Sequence, residues 1–279
     1  MRILTFIPTY GRPAVTKLCF DGLLRAYRSA PAFMKFETLI IASDKEGEAM
    51  ARKYGFNVRF VANKPLGRKF NTGLSYALKD FDFDYLFQIN SDNSLRVDFW
   101  AHFEEFFVSK SPFFGVANLA FYDAVTGRAV SHLYADGCGI RFIRRDVLEA
   151  SAYCVDVVPF VSMAGNHRFN VQAGQRCIIP AGRYKPNQYE RIGPKFVQLW
   201  EPKKNSGLDI NSAWQIYKGF PEAWPIKFPL AKFPLVVDIK TSENIHPFSE
   251  FQAEGENFDI ADLLLNFPEL GTLAENTAI

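Results

Sequence analysis

The sequence predicts an α/β protein: a Rossmann-like, mostly parallel sheet flanked by helices, followed by a looser C-terminal half. Two observations carry that expectation. Short apolar runs alternate with helical apolar stripes through roughly the first hundred residues, joined by short connections. Four of those runs give way abruptly to polar loops, the last of them at Asn90. In an open parallel sheet such strand exits share one edge, and ligands bind there.

Arg2 to Ile7 is a short apolar run, read as a buried strand, and Thr9-Tyr10-Gly11-Arg12-Pro13 breaks it with turn residues. Val15, Leu18, Cys19, Gly22, Leu23, Ala26 and Tyr27 then recur at helical steps. A second strand, Glu37 to Ala42, ends in Ser43-Asp44, which can cap a helix from Lys45 to Tyr54. Val58 to Val61 makes a third strand. Asn63-Lys64-Pro65-Leu66-Gly67-Arg68-Lys69 leads from it into a helix through Phe70, Leu74, Ala77 and Leu78. Tyr85 to Ile89 is a fourth strand and runs straight into Asn90-Ser91-Asp92-Asn93.

Beyond about residue 112 the pattern loosens. Phe113 to Tyr122 and Gly139 to Ile143 read as strands, and Arg144 to Ser151 as a helix. The stretch 180–235 has no sustained period and reads as loops over the site. Val236 to Ile239 is a last strand, and a helix is expected from residue 260. With no internal repeat and no low-complexity linker, a single domain in two halves is expected, 1–110 and 111–279.

Composition narrows the function class. With 32 basic and 30 acidic residues the net charge is +2, so no global field draws the chain to nucleic acid or membrane. Denser basic clusters occur only at Arg141, Arg144 and Arg145 and at Lys195, Lys203 and Lys204. The four cysteines form no CxxC pair and no metal-like spacing with His, which fits reduced thiols in a cytoplasmic protein. No apolar window approaches the ~18 residues needed to span a bilayer. Phenylalanine is abundant, at 28 residues, and most of these rings are expected in the core, with some left to line a sugar or base surface.

Several motifs together resemble a known family. Pro8-Thr9-Tyr10-Gly11-Arg12-Pro13, Asp44, Gly67 to Gly73, the Ser91-Asp92 loop and Gly137-Cys138-Gly139 follow one another in the order seen in family-2-like glycosyltransferases of the GT-A fold. The resemblance covers about residues 1 to 150. It implies a hexosyl or pentosyl transferase that moves a sugar from a nucleotide-sugar donor to an acceptor hydroxyl. Residues 1–110 would then hold the donor and 111–279 the acceptor. It also implies a divalent metal held by the acidic loop, acting as Lewis acid and template for the diphosphate.

The expected donor contacts are Pro8, Thr9, Tyr10, Arg12, Asp44, Arg68, Lys69, Asn71, Ser91, Asp92, Gly137 and Gly139. Tyr10 could stack on the base and Asp44 could accept a hydrogen bond from base or ribose, or cap its helix, or do both. Arg68, Lys69 and Asn71 are expected just before a helix N-terminus, where phosphate is favoured. Asp92 and His246 are the expected metal ligands. The family's usual Asp-x-Asp pair is reduced here to one carboxylate flanked by Asn90 and Asn93, and an imidazole beside a carboxylate suits Mn²⁺ better than Mg²⁺. An inverting reaction needs a base for the acceptor proton, and the candidates are Asp209, preferred for its polar Gly207-containing surroundings, and Asp156. Trp200, Trp214 and Trp224 could form a sugar platform or pin long loops to the core.

Two other classes remain open. A nucleotidyltransferase would carry a glycine-rich Arg/Lys loop after the first strand, and this loop has a single glycine. A non-catalytic nucleotide-sugar-binding module would explain the amides around Asp92. The acceptor is either a glycan or a hydroxymethylated DNA base of the phage type, the cell being a bacterium or a phage-infected host. DNA would call for phosphate contacts from the two basic clusters. Donor identity, stereochemistry and oligomeric state are left open.

Overall fold

A computed structural model describes residues 1–133, 140–152, 199–200, 203–205, 208–223, 226–229, 231–244, 247–252 and 255–276. The predicted α/β fold is what it shows. In chain order the elements begin β1 (Arg2–Thr9), α1 (Pro13–Arg28), β2 (Lys35–Ala42), α2 (Lys45–Lys53), β3 (Asn57–Phe60), α3 (Leu66–Asp80) and β4 (Tyr85–Gln88). They continue with β5 (Asn93–Leu95), α4 (Glu104–Val108), β6 (Phe113–Gly115), β7 (Asn118–Asp123), β8 (Arg128–Leu133), β9 (Arg141–Arg144) and α5 (Arg145–Ala152). The remainder are α6 (Leu208–Gly219), β10 (Val236–Lys240), α7 (Phe248–Gln252), β11 (Glu256–Asn257), α8 (Ile260–Asn266) and α9 (Gly271–Asn276).

The main sheet has six strands in the order β3-β2-β1-β4-β9-β6. Its first four strands are parallel, while β9 runs antiparallel between β4 and β6. Strand β1 lies in the middle and alternates its side chains between two cores. Ile3 and Ile7 join Phe20 and Leu23 of α1 on one face, and Leu4 and Phe6 join Phe70 and Leu74 of α3 on the other. Helix α3 comes close because Gly73 faces the sheet. A Cβ there would lie 2.6 Å from Ile41 Cγ1 and 2.7 Å from the Phe6 ring. Many phenylalanines serve the first core, as expected: the Phe142 ring stacks on Phe87 at 4.4 Å and on Phe114 at 4.8 Å.

A second sheet, in the order β11-β8-β7-β10-β5, was not foreseen. The run read as one strand from Phe113 to Tyr122 breaks at Val116-Ala117, so that β6 finishes the main sheet and β7 starts the second. Helix α6 lies inside the stretch read as loops. The two sheets share the chain in alternation: the main one takes β6 and β9 from beyond residue 110, and the second takes β5 from before it.

Part of the long segment after α5 is fixed to α3 by one side chain. Asn71 Oδ1 accepts from the backbone N–H groups of Leu199 and Trp200, and its Nδ2 donates to the Trp200 carbonyl. Trp200 is 1% exposed and stacks on Phe6, so it pins this segment to the core and offers no platform to a sugar. Asn71→Ala would leave three buried backbone groups without partners. It is expected to cost about 3 kcal/mol, read as a lower urea midpoint at unchanged slope. A loss below ~1 kcal/mol would show that this anchor contributes little beyond a surface contact.

Candidate functional site

The parallel strands deliver their C-terminal ends to one edge. Thr9 pairs with Ala42 and Ala42 with Phe60, while Gln88 lies beside Phe6 and across from Arg141. The loop after β1 sits in the middle of this edge, held by carboxylates from both sides. Asp44 Oδ2 accepts from Gly11 N at 2.9 Å, and its Oδ1 caps α2 through Gly47 N at 2.7 Å, so this residue does both jobs its position allows. From the β4 side, Asp92 Oδ2 takes a guanidinium N–H of Arg12 at 3.1 Å. Gly11 and Arg12 both have left-handed backbones, with φ of 59° and 49°. For Arg12 that conformation costs on the order of 1 kcal/mol, and the following Pro13 disfavours the right-handed alternative.

The acidic loop is a tight turn, with Asn93 N donating to the Asn90 carbonyl and Asn90 N to Asn93 Oδ1. Its underside meets the second sheet. Ile239 N donates to the Asp92 carbonyl, and Asn93 pairs across from Asp238. Asn244 Nδ2 adds a second donor to Asp92 Oδ2 at 3.2 Å. Asp238 is partly buried, and desolvation pushes its carboxyl upward; Lys240, with Nζ 3.0 Å away, opposes that shift, and Asp92 adds to it. Lys240 is itself enclosed, over the stacked rings of Phe121 and Phe251 at 5.2 and 4.7 Å. Asp238, Lys240 and Asn244 were not singled out from sequence, although charges within the run Val236 to Lys240 were a visible signal.

The expected donor residues divide in two. Pro8, Thr9, Tyr10, Arg12, Asp44, Ser91 and Asp92 gather at the β1, β2 and β4 exits. Tyr10 is 56% exposed, and so is Phe60, an aromatic at the end of β3 that sequence reasoning passed over. The trio Arg68, Lys69 and Asn71 lies inside α3 rather than ahead of it, because the helix starts at Leu66. The helix's leading N–H groups are already taken, Leu66 N by Asn205 Oδ1 and Gly67 N by the Lys204 carbonyl. Only Arg68 is exposed, while Asn71 serves the anchor described above. Gly137, Gly139, Asp156 and His246 lie outside the described residues.

Asp209 lies in the first turn of α6, with its backbone held near the same edge. Buried Arg141, on β9 beside the β4 exit, donates to the Asp209 carbonyl at 2.6 Å and to Ser212 Oγ at 2.8 Å. The rest of that basic cluster is elsewhere. Arg144 pairs across from Tyr85 at the opposite edge of the sheet and bonds Asp146, and Arg145 bonds Glu149. The phosphate contacts that a DNA acceptor would call for are therefore not gathered on one face by Arg141, Arg144 and Arg145. Of the second cluster, Lys203 is exposed and Lys204 partly buried, and Lys195 lies outside the described residues.

The donor set at Asp92 fits a divalent ion poorly. One carboxylate is flanked by amides, its Oδ2 already takes two donors, and a guanidinium stands beside it. Among the described residues no three His, Cys, Asp or Glu side chains gather closely enough to hold a metal. No helix among them is long and apolar enough to cross a membrane.

No family model matches the chain, and no curated protein does. Solved structures do. The protein resembles glucosyl-3-phosphoglycerate synthase from Mycobacterium tuberculosis in complex with phosphoglyceric acid, at 14% identity and a TM-score of 0.36 over 53% of this chain and 58% of that one. It resembles S. aureus TarS 1-349 at 12% identity and a TM-score of 0.36, over 56% and 50% of the two chains. Against the complex of TarS 1-349 with UDP-GlcNAc the figures are 13% and 0.47, over 100% and 72%. The chain thus spans little more than half the length of the first of these. These neighbours are glycosyltransferases of the GT-A, family-2-like type. The likeness is one of fold, too slight to transfer a substrate or a residue's role.

Lys69 has a purely internal place. It is 1% exposed, and its Nζ donates to the Thr9 carbonyl at 2.8 Å and to Asn63 Oδ1 at 3.2 Å. Burial lowers its pKa from 10.5 to about 7, against a weaker upward pull from Asp44. The unfolded chain holds this proton to about 10.5 and the folded protein releases it near 7. Unfolding therefore takes up a proton between those values, and stability rises with pH across that window. Lys69→Met is expected to flatten that rise in urea titrations between pH 7 and 10. An unchanged slope would place the origin of the pH dependence elsewhere.

Proposed function

We propose that the protein is a glycosyltransferase that takes a sugar from a nucleotide-sugar donor and places it on an acceptor hydroxyl. One observation carries this reading: the loop after β1 is held between Asp44 from the β2 exit and Asp92 from the β4 exit. That arrangement puts a polar, carboxylate-lined edge where an open parallel sheet binds nucleotides, and it stands in the motif order read from the sequence. Tyr10 and Phe60 give flat exposed faces for a base, Asp44 at the neighbouring β2 exit is the proposed acceptor for a base or ribose donor, and Arg12 is the proposed contact for the diphosphate.

Asp209 is the proposed base, brought to the same edge by Arg141. As the acceptor oxygen bonds the anomeric carbon, the carbon–oxygen bond to the diphosphate breaks and its electron pair leaves with the diphosphate. The acceptor proton passes to the Asp209 carboxylate. A glycan-type hydroxyl is the proposed acceptor, because Arg144 and Arg145 are ion-paired at the far edge of the sheet and cannot track a DNA backbone at the exits.

The test is release of nucleoside diphosphate from a panel of nucleotide sugars, with Mn²⁺ and with EDTA, since the resemblance of the acidic loop implies a divalent ion. Glycans and hydroxymethylated DNA serve as acceptors. Turnover of one donor that disappears in Asp92→Ala is the expected result. Transfer to DNA would overturn the acceptor assignment, and silence with every donor and acceptor would leave a binding module. Asp209→Asn should lower kcat by roughly 10²–10⁴-fold with donor affinity unchanged. Full activity in that variant would remove Asp209 from the reaction.

A further inference from the structure

We propose that the guanidinium of Arg12 is the resident cation of the acidic loop, and that it takes the place of a divalent metal facing the donor's diphosphate. The ligand in this inference rests on the glycosyltransferase reading; the cation rests on the structure around Asp92. Arg12 donates to Asp92 Oδ2 at 3.1 Å, and its charge also acts on partly buried Asp238. With Lys240 at 3.0 Å from Asp238, two cations meet two carboxylates, and among the described residues the cluster is balanced. A divalent ion entering beside Asp92 would add two charges to this enclosed group unless Arg12 left. Among the described residues it would also find both carboxylates already engaged, Asp92 by Arg12 and Asp238 by Lys240.

Arg12 is held in this position by more than its ion pair. Its left-handed backbone follows Gly11, whose N–H is fixed by Asp44, and precedes the rigid Pro13 that starts α1. Side-chain atom Nη1 has no acceptor among the described residues, and the side chain as a whole keeps 20% of its surface exposed. A guanidinium N–H left without an acceptor is unfavourable, and an anionic phosphate oxygen is the strongest kind of partner that could complete it. When the carbon–oxygen bond of the donor breaks, the electron pair stays on the diphosphate oxygen. Arginine stabilises that charge without surrendering a proton.

Two measurements test the assignment. Mn²⁺ binding is followed by the free-ion electron paramagnetic resonance signal, and binding of a panel of nucleoside diphosphates by calorimetry in EDTA and in Mn²⁺. The wild-type protein should leave Mn²⁺ free and bind its nucleoside diphosphate equally, within about 2-fold, in either condition. Arg12→Met should weaken that binding by about 10-fold or more in EDTA, and should capture Mn²⁺ at the uncompensated Asp92, an effect reversed by adding Asp92→Asn. Arg12→Lys, which keeps the charge, should still leave Mn²⁺ free and serves if the Met variant does not fold. Capture of Mn²⁺ by the wild-type protein that Asp92→Asn abolishes, or nucleotide binding that requires Mn²⁺, would overturn the proposal. If no nucleoside diphosphate binds in either condition, the glycosyltransferase reading fails, and the Mn²⁺ signal alone still decides the cation.

Discussion

Strand β1 is covered on both faces and on both edges, and the polar groups at its end have to be satisfied by whatever side chains arrive there. The Thr9 carbonyl accepts from Lys69 Nζ and Ser43 N, the Gly11 N–H goes to Asp44, and Arg12 goes to Asp92. The four partners come from three places, α3 and the exits of β2 and β4, so this one strand end aligns three other elements. A lysine buried beneath such a junction can serve as a neutral amine because it is asked for just two donated bonds. The same economy explains why residues that look like ligand contacts in a motif can be occupied with holding the motif together.

Arg12 and Lys69 show how one sequence signal can have two outcomes. Both are basic residues in glycine-containing stretches after a strand, and both were expected to contact the donor. Arg12 follows a left-handed glycine before a proline, which keeps it outside the helix and near the exit edge. Lys69 falls one turn into a helix whose packing against Phe6 and Ile41 directs it under the sheet. The distinction depends on where α3 begins, and that was set by Asn205 and Lys204, residues distant in sequence that cap it.

The first half of the fold was legible because its strands are parallel and buried on both faces, so apolar runs and polar exits alternate plainly. Asp44 and Asp92 were found for that reason: each sits at the point where such a run stops. The second sheet was hidden because its strands are short and their partners lie far away in the chain. Strand β5 is three residues long and acquires its identity from pairing with β10, which no local pattern discloses. Helix α6 was missed within a stretch rich in Pro, Gly and Lys, though Arg141 gives its first turn a fixed position. The polar group of Asp238, Lys240 and Asn244 depends on that same long-range pairing, so it could not be assembled before the fold was known.

The alternation of the two sheets along the chain bears on how the molecule is made. Strand β5 leaves the main sheet's neighbourhood early and waits for β10, while β6 and β9 return to the main sheet after β5 has gone to the other. Neither sheet can be completed from a contiguous stretch, so neither offers an autonomous folding unit. Pairings this distant close large loops before they return any contact energy, which favours slow assembly and a single cooperative transition. The junction where the sheets meet is the acidic loop itself, between Asn93 and Asp238. The candidate site is therefore complete only when both sheets are paired, and its integrity reports on the completion of the whole.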